Sequence, residues 1–307
     1  MKICIVGTGG VGGYFGARLA ADNNDVVFVA RGAHRAAMER DGLKVLSDLG
    51  DVTIPAPKLH DGPETTGLCD VILLCVKLWD SVEALSLIRP LLSHDTAVIS
   101  LQNGVEAEGL LAAKLGVKHV MGGVSRISAS IESPGVIRHL GNLAQLTFGE
   151  MNGASSWRQE MLLSACIGAG IEAEIAPDIN VEIWRKFVFL APLAGATCFY
   201  RRRAGALRED TVSARLFADL VHEAAAVGRA QGIGLPDGTE EEIIANLSRL
   251  PAEMPASMLL DLEAGRRLEL DWLTGAVVRL GAEAGVATPE SQKVYNALAP
   301  VKEGRAA

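Results

Sequence analysis

The sequence predicts an α/β domain followed by an all-helical domain, and three observations carry this prediction. Apolar runs alternate with helical patterns along the first half of the chain, a glycine-rich stretch follows the first apolar run, and the second half shows helical spacing without a convincing strand. Apolar runs without internal alternation are typical of parallel strands covered on both faces. We therefore expect a doubly wound parallel sheet first and helices afterwards.

The elements of the first domain follow one another in alternating order. Strands are predicted at residues 3–6, 26–30, 71–76 and 96–101, and helices at residues 11–21, 80–92 and 106–115. From residue 120 to residue 148 the pattern changes to short β-like pieces, with turn signals at Pro134-Gly135 and Gly141-Asn142. These pieces predict an antiparallel edge that extends the sheet.

The second domain is predicted to contain helices only, at residues 179–200, 212–231, 240–250, 258–265 and 270–283. The boundary falls near residues 174–178, so we place the domains at 1–175 and 176–307. Residues 187–200 are uncharged and mostly apolar, but a bilayer span needs about 20 residues. Pro192 also interrupts this stretch, which we interpret as a buried helix, and we expect no membrane partner.

Composition excludes several classes of function. Hydrophobic residues make up 49% of the chain, and the net charge is −8, from 29 basic and 37 acidic residues. This balance argues against a nucleic-acid partner, whose binding usually leaves a basic footprint. The five cysteines are odd in number and form no CxxC pair, which predicts reduced thiols in a cytoplasmic protein, with no disulfide frame and no metal site. Met1-Lys2 leads directly into the first strand, so we expect no signal peptide.

The glycine-rich stretch "GTGGVG" matches the spacing G-x-G-x-x-G between a strand and a helix. Its first glycine allows a tight turn, its second lets the backbone approach a pyrophosphate, and its third lets helix and strand pack closely. Free N–H groups at the helix start then face the phosphates. The pattern predicts a Rossmann-type dinucleotide site, and the alternative is a purely structural turn. The residues of this cradle are Gly7, Thr8, Gly9, Gly10, Val11 and Gly12.

The residue after the second strand indicates which dinucleotide binds. Dinucleotide sites for NAD usually carry an acid there, whereas "VVFVARGAHR" has Arg31, with His34 and Arg35 just beyond. A cation suits a 2′-phosphate, which an acid would repel. The sequence therefore predicts NADP (NADPH) as the cofactor, and the alternative is that Arg31 is a solvated loop charge.

Polar residues also follow the next two strands. Lys77 ends "VILLCVK", and Asn103 and Gly104 end "VISLQNG". Because ligands collect beyond the carboxyl ends of strands in open α/β sheets, we expect Lys77 and Asn103 near the nicotinamide half of the cofactor. The alternatives are a surface lysine at a helix start and a simple Asn-Gly turn.

The helical half supplies a second group of candidates. Lys186 lies in the apolar stretch "EIWRKFVF", next to Phe187 and near Phe189. Partial desolvation lowers the pKa of an ammonium group, which suits a proton donor, and a nearby carboxylate can orient it. Ser257 and Glu269 follow in "PASMLLDLEAGRRLELDWLTG". From the residues alone, Lys186 can also be a snorkelling surface lysine, and Glu269 can lie on a solvated helix face.

Over nearly its whole length the chain resembles the ketopantoate reductases (2-dehydropantoate 2-reductases). The resemblance rests on "KICIVGTGGVGGYFGARLA", "VARGAHRAAM", "CVKLWD", "SLQNGVE", "WRKF", "ASMLLDLEAGR" and "LELDWLTG". It implies an NADP-binding Rossmann domain at 1–175 and a helical substrate and catalytic domain at 176–307. It also implies NADPH-dependent reduction of 2-dehydropantoate to (R)-pantoate in pantothenate biosynthesis.

The resemblance further implies a role for each candidate residue. Lys186 is similar to the family's proton donor, and Glu269 to the acid that positions the ligand and the lysine. Asn103 is similar to a residue that touches both cofactor and substrate, Ser257 to a contact of the substrate carboxylate, and Lys77 to a cofactor-side residue.

One departure from the family pattern bears on the substrate. Leu190 and Ala194 stand one and two helical turns after Lys186, where the resemblance implies substrate-binding asparagines. A buried substrate hydroxyl left unpaired there costs about 1–3 kcal/mol. The alternatives are a reductase of another, less polar 2-oxo acid, an opine-type or β-hydroxyacid-type dehydrogenase, and a non-catalytic NADP-binding regulator. We expect a small 2-oxo acid as the partner and leave monomer and homodimer open.

Overall fold

The structure is a computed structural model that describes residues 1–304. The described residues form two compact units. The first comprises residues 1–102 and 106–179, and the second comprises residues 103–105 together with the chain from Asn180 onward. The first unit is a sheet covered by helices and the second is helical, which confirms the predicted fold class.

The described part of the first unit is built on one ten-stranded sheet. Its strands are β1 (Lys2–Val6), β2 (Asp25–Val29), β3 (Leu43–Ser47), β4 (Val52–Ile54), β5 (Lys58–Leu59), β6 (Cys69–Leu74), β7 (Leu92–Ser100), β8 (Val120–Ser133), β9 (Val136–Glu150) and β10 (Glu172–Ile175). Their order is β4-β3-β9-β8-β7-β6-β1-β2-β5, and β10 pairs with β9. Strands β7, β6, β1, β2 and β5 run parallel, as the apolar runs predict.

The helices of the first unit are α1 (Gly10–Ala21), α2 (Gly32–Asp41), α3 (Pro63–Thr66), α4 (Ser81–Ile88), α5 (Ala107–Leu115) and α6 (Trp157–Gly168). The helix predicted at residues 80–92 is shorter than expected. A 3₁₀ turn, Arg89–Leu91, follows α4, and β7 begins at Leu92. Pro90 favours this end, because proline lacks the N–H that donates within a helix and its ring clashes with the carbonyl four residues earlier.

Both faces of the sheet are buried. Ile3 and Ile5 of β1 belong to one apolar cluster, which includes Phe15 of α1, whereas Cys4 and Val6 belong to a second cluster, which includes Leu85 and Ile88 of α4. Alternate residues of a strand point to opposite faces, so a strand covered by helices on both sides must be apolar throughout. Burial on both faces explains the uninterrupted apolar run "ICIV".

The region of residues 120–148 differs from the prediction of short pieces. Strands β8 and β9 have 14 and 15 residues and form one long antiparallel hairpin. The hairpin turns at Pro134-Gly135, where Gly135 has a φ of +80°. Gly141-Asn142 does not end a strand but lies inside β9. The antiparallel partner itself is as expected, and β9 then carries β3 and β10 on its other edge.

The second unit consists of helices in its described residues. They are α7 (Ile179–Tyr200, whose first residue belongs to the first unit), α8 (Ala204–Glu209), α9 (Thr211–Ala230), α10 (Thr239–Asn246), α11 (Ser257–Glu263), α12 (Thr274–Ala284) and α13 (Pro289–Leu298). Helix α7 runs through Pro192 without a break in its assignment. The helix predicted from residue 270 begins only at Thr274. No helix of the described chain is both long and apolar enough to cross a membrane.

A carboxylate from α9 caps α13. The backbone N–H groups of Glu290 and Ser291 each donate to one side-chain oxygen of Glu223, both at 2.8 Å. The first N–H groups of a helix have no intrahelical partners, and a negative charge there also offsets the helix dipole. Glu223 therefore joins α9 to the start of α13.

We expect Glu223→Ala to lower the free energy of unfolding by about 1–2 kcal/mol, the usual value of a lost helix cap. Urea unfolding followed by circular dichroism measures this change. The matched control is Glu283→Ala, which removes an exposed glutamate of α12. Equal effects of the two substitutions would show that the cap contributes nothing.

Candidate active site

The loop after β1 has a backbone that only glycine accepts at its first position. Gly7 has a φ of +104°, and a Cβ atom there would lie 2.7 Å from the backbone nitrogen of Val76. The next residue is held in place, because the N–H and the hydroxyl of Thr8 both donate to the carbonyl of Val29, at 3.0 and 2.9 Å. The loop is thus fixed between the ends of β2 and β6 before any ligand binds.

The other two glycines of the motif have different surroundings. A Cβ atom at Gly12 would lie 2.2 Å from the carbonyl oxygen of Gly7, so only glycine lets α1 pack this closely on β1. At Gly9 a Cβ atom would meet nothing within 4 Å, so protein packing does not require glycine there. The open space fits a ligand that approaches the backbone, as expected for a pyrophosphate.

The start of α1 is compatible with an anion. The helix begins at Gly10, and none of the described side chains caps it. The N–H groups of its first turn, which includes Val11, have no intrahelical acceptors. A phosphate is the usual partner of such a terminus when a glycine-rich loop precedes it. The residues of the loop therefore fit the diphosphate of a dinucleotide.

Arg31 is the residue that follows β2 and precedes α2. Its guanidinium forms an ion pair with Asp80, and its second amino group lies 3.8 Å from a carboxylate oxygen of Glu83. The side chain is 68% exposed. Arg31 is thus accessible to a ligand, and two acids lie beside it.

The two other basic residues of this segment are engaged elsewhere. Arg35 bonds to Glu39, Asp61 and the carbonyl of His60. His34 accepts a hydrogen bond from the N–H of Gly135 at Nδ1, at 3.0 Å. Burial lowers the pKa of His34, so its ring is neutral near pH 7 and carries its proton on Nε2. Of the three basic side chains, Arg31 is the one that stays largely exposed.

The two residues predicted at strand ends lie in different units. Lys77 precedes the 3₁₀ turn Leu78–Asp80 after β6, and its Nζ lies 5.6 Å from the ring centroid of Trp79. Asn103 follows β7 but belongs to the second unit with Gly104 and Val105. The side chain of Val105 packs against the apolar core of that unit. Within the described residues, the amide of Asn103 has no hydrogen-bond partner.

The helical unit holds the other three candidates on separate elements. Lys186 lies in the second turn of α7 and is half-buried, next to the fully buried Phe187. Ser257 is the exposed first residue of α11. Glu269 lies in the non-helical segment before α12 and is only 5% exposed. The reading of Glu269 as part of a solvated helix face is therefore wrong.

The segment around Glu269 is anchored by the end of the described chain. The N–H of Leu268 donates to the carbonyl of Lys302 at 2.8 Å. Asp271 accepts from the hydroxyl of Tyr295 at 2.7 Å and from the ammonium of Lys302 at 2.8 Å. These bonds tie the segment at residues 268–271 to α13 and to the end of the described chain, and α12 begins after it, at Thr274.

The face of α7 beyond Lys186 is apolar. Leu190 follows one turn later, is half-buried and packs against the core of the helical unit. Ala194 follows another turn later and is 1% exposed. Neither side chain can form a hydrogen bond, and since only Leu190 is partly exposed, a ligand can make only apolar contact there.

Comparison with known proteins identifies the family. The model described as "Ketopantoate reductase PanE/ApbA" matches residues 3–153, and the model for the C-terminal part of the same proteins matches residues 178–302. The chain belongs to the ketopantoate reductase family. Its resemblance to that family in sequence is thereby confirmed, and it is an oxidoreductase of the nicotinamide-dependent kind that acts on a CH–OH group.

Individual relatives match over almost the whole chain. A 2-dehydropantoate 2-reductase of Mesorhizobium japonicum is 32% identical, over 94% of each chain. The crystal structure of 2-dehydropantoate 2-reductase from Geobacter metallireducens is 30% identical and superposes with a TM-score of 0.90, over 98% of this chain and 99% of the other. The structure of D-mandelate dehydrogenase with NADH and anilino(oxo)acetate has a TM-score of 0.88 at 24% identity over 98% of each chain, which shows a shared fold.

The sequence did not predict a role for Gln102 in this member of the ketopantoate reductase family. Its amide nitrogen donates to the carbonyl of Val76 and to the hydroxyl of Ser81, both at 2.8 Å. Its amide oxygen accepts from the hydroxyl of Ser100 at 3.1 Å. Gln102 thus joins the loop after β6, which carries Lys77, to the end of β7. The stretch "LQNG" does not reveal this role, because Val76 and Ser81 lie 26 and 21 residues away along the chain.

We expect Gln102→Ala to lower the free energy of unfolding by about 1–3 kcal/mol, because it leaves half-buried polar groups unpaired. Hydrogen exchange of residues 75–81 should become faster, since the loop loses its tie to β7. The matched control is Gln145→Ala, which removes a single exposed bond to Glu172. If both variants unfold and exchange alike, Gln102 does not hold the two loops together.

Proposed function

We propose that this chain reduces 2-dehydropantoate to (R)-pantoate with NADPH, as a step of pantothenate biosynthesis. The observation that carries the proposal is the loop at Gly7–Gly12, where open space at Gly9 adjoins the uncapped start of α1. The names of two relatives support the substrate, since proteins that are 32% and 30% identical over nearly the whole chain are named 2-dehydropantoate 2-reductase.

In this proposal most of the residues that bind the cofactor belong to the first unit. The glycine loop, including Gly10 and Val11, binds the diphosphate, and Arg31 binds the 2′-phosphate. Lys77 and Asn103 contact the nicotinamide half. When bound, NADPH supplies the hydride that the ketone carbon of a 2-oxo acid receives.

The helical unit supplies the proton and holds the substrate. Lys186 donates a proton to the ketone oxygen as negative charge develops there. Glu269 is nearly inaccessible to water and sits in an anchored segment, which suits a carboxylate that orients the lysine and the ligand. Asn103 and Ser257 bind the substrate, Ser257 at its carboxylate. The proton on Lys186 is then replaced from water.

We expect Lys186→Ala to lower kcat by about 10²–10⁴-fold, the usual contribution of a general acid, and to leave NADPH binding close to that of the parent. Stopped-flow oxidation of NADPH and fluorescence titration measure the two quantities. Lys293→Ala is the matched control, because this lysine is exposed and pairs with Glu290 on α13. Turnover of the Lys186 variant at the parental rate would remove it from the proton-donor role.

A second candidate is the reduction of a less polar 2-oxo acid. Leu190 favours it, because leucine one turn after Lys186 cannot pair with the hydroxyl of 2-dehydropantoate. The matched pair of substrates is 2-dehydropantoate and 3,3-dimethyl-2-oxobutanoate, which lacks only that hydroxyl. A wild-type preference for the deoxy compound in kcat/KM supports the second candidate, and the opposite preference supports the first.

For Leu190→Asn we expect the ratio of kcat/KM values to move toward 2-dehydropantoate by about tenfold, because an amide can pair with the hydroxyl. Steady-state kinetics with both substrates measure this ratio. The control is Leu68→Asn, which changes an exposed leucine of the first unit. An unchanged ratio in the Leu190 variant would mean that this position does not face the substrate side chain.

We also propose a cytoplasmic location. Cys4, Cys69, Cys75, Cys166 and Cys198 are all free thiols, and four of them are buried. Unpaired cysteines are typical of reducing compartments.

A further inference from the structure

Two acidic side chains lie beside Arg31, and the proposed function assigns them no role. Asp80 contacts the guanidinium directly, and Glu83 lies 3.8 Å from it. The side chain of Asp80 is 23% exposed and that of Glu83 is 79% exposed, so the charge of Asp80 is less screened by solvent. An anion that binds to Arg31 must displace or adjoin the carboxylate of Asp80.

The topology explains why these residues meet. Arg31 follows β2, and Asp80 ends the 3₁₀ turn after β6. Strand β1 lies between β2 and β6 and pairs in parallel with both, so the carboxyl ends of all three strands lie at one edge. The glycine loop follows β1 at that edge. Arg31 and Asp80 therefore flank the loop from its two neighbouring strands.

NADPH and NADH interact differently with the Arg31–Asp80 ion pair. A 2′-phosphate needs the guanidinium and meets repulsion from Asp80 and Glu83. A ribose 2′-hydroxyl leaves the ion pair intact and can donate a hydrogen bond to a carboxylate. The acids thus oppose one form and not the other.

We propose that Asp80 is a specificity-determining residue for the cofactor: its carboxylate competes with the 2′-phosphate for Arg31 and reduces the preference for NADPH over NADH. The inference rests on the proposed use of a nicotinamide dinucleotide. Asp80→Asn is suited to a test, because among the described residues its side chain has only Arg31 as a partner, and asparagine has the same size.

The experiment measures the binding of 2′,5′-ADP and of 5′-ADP to the full chain by calorimetry. We expect Asp80→Asn to bind 2′,5′-ADP about two- to fivefold more tightly than the parent, the range that exposed ion pairs support. Binding of 5′-ADP should stay unchanged, and the gain should shrink at high salt. Glu83→Gln should have a smaller effect in the same direction. In Arg31→Ala, 2′,5′-ADP should bind no more tightly than 5′-ADP, because both acids remain and the cation is lost.

Asp41→Asn is the matched control, since it removes the same charge from a pair with Arg40 at the far end of α2. It should bind both nucleotides as the parent does. If Asp80→Asn leaves 2′,5′-ADP binding unchanged, the competition does not exist, and if it weakens that binding, Asp80 instead positions Arg31 for the phosphate. If the parent binds neither nucleotide, the proposed cofactor fails and this inference fails with it, whereas binding of both without an effect at Asp80 overturns the inference alone.

Discussion

The close approach of α1 to β1 is the constraint on which the first unit depends. A Cβ atom at Gly12 would overlap the carbonyl of Gly7, so the helix can follow the strand in this tight turn only with glycine at both places. The turn directs the uncapped end of α1 toward the edge where β2, β6 and β7 also end. Every candidate cofactor contact of this unit follows a strand that ends at that edge.

The sequence predicts the centre of the sheet better than its margins. Residues 3–6 of β1, 71–74 of β6 and 97–99 of β7 are buried and apolar, so the centre of the sheet gives a clear pattern in the sequence. Strands β3 and β4 carry exposed residues such as Lys44 and Thr53, because they lie at the end of the sheet. Helix α2 buries only Ala37 and Met38, so it lacks an apolar stripe and was not predicted. Partial burial weakens periodicity at each of these places.

The sequence also predicts some residues of the candidate site better than others. The glycine loop is readable because its requirements are local: a positive φ at Gly7 and a close contact at Gly12 lie within one turn. Glu269 looks like any charged residue of an amphipathic stretch, but it is buried in a segment that bonds to Lys302, far along the chain. The residues alone left a surface lysine and a solvated glutamate open, so the roles proposed for Lys186 and Glu269 rest on the resemblance to a family. Bonds between residues that are far apart in the chain produce no regular pattern in the sequence from which they could be predicted.

The charge beside the glycine loop cannot be predicted by counting the basic residues that follow β2. The segment after β2 contains Arg31, His34 and Arg35, which together suggest a strongly basic surface. Burial keeps His34 neutral, and Arg35 is already bonded to carboxylates, so only Arg31 contributes an exposed cation. Asp80 then offsets that cation in part, since opposite charges in contact screen each other from a third. The electrostatic field that a phosphate meets is thus set by pairing across strands, which depends on the order of β6, β1 and β2 in the sheet.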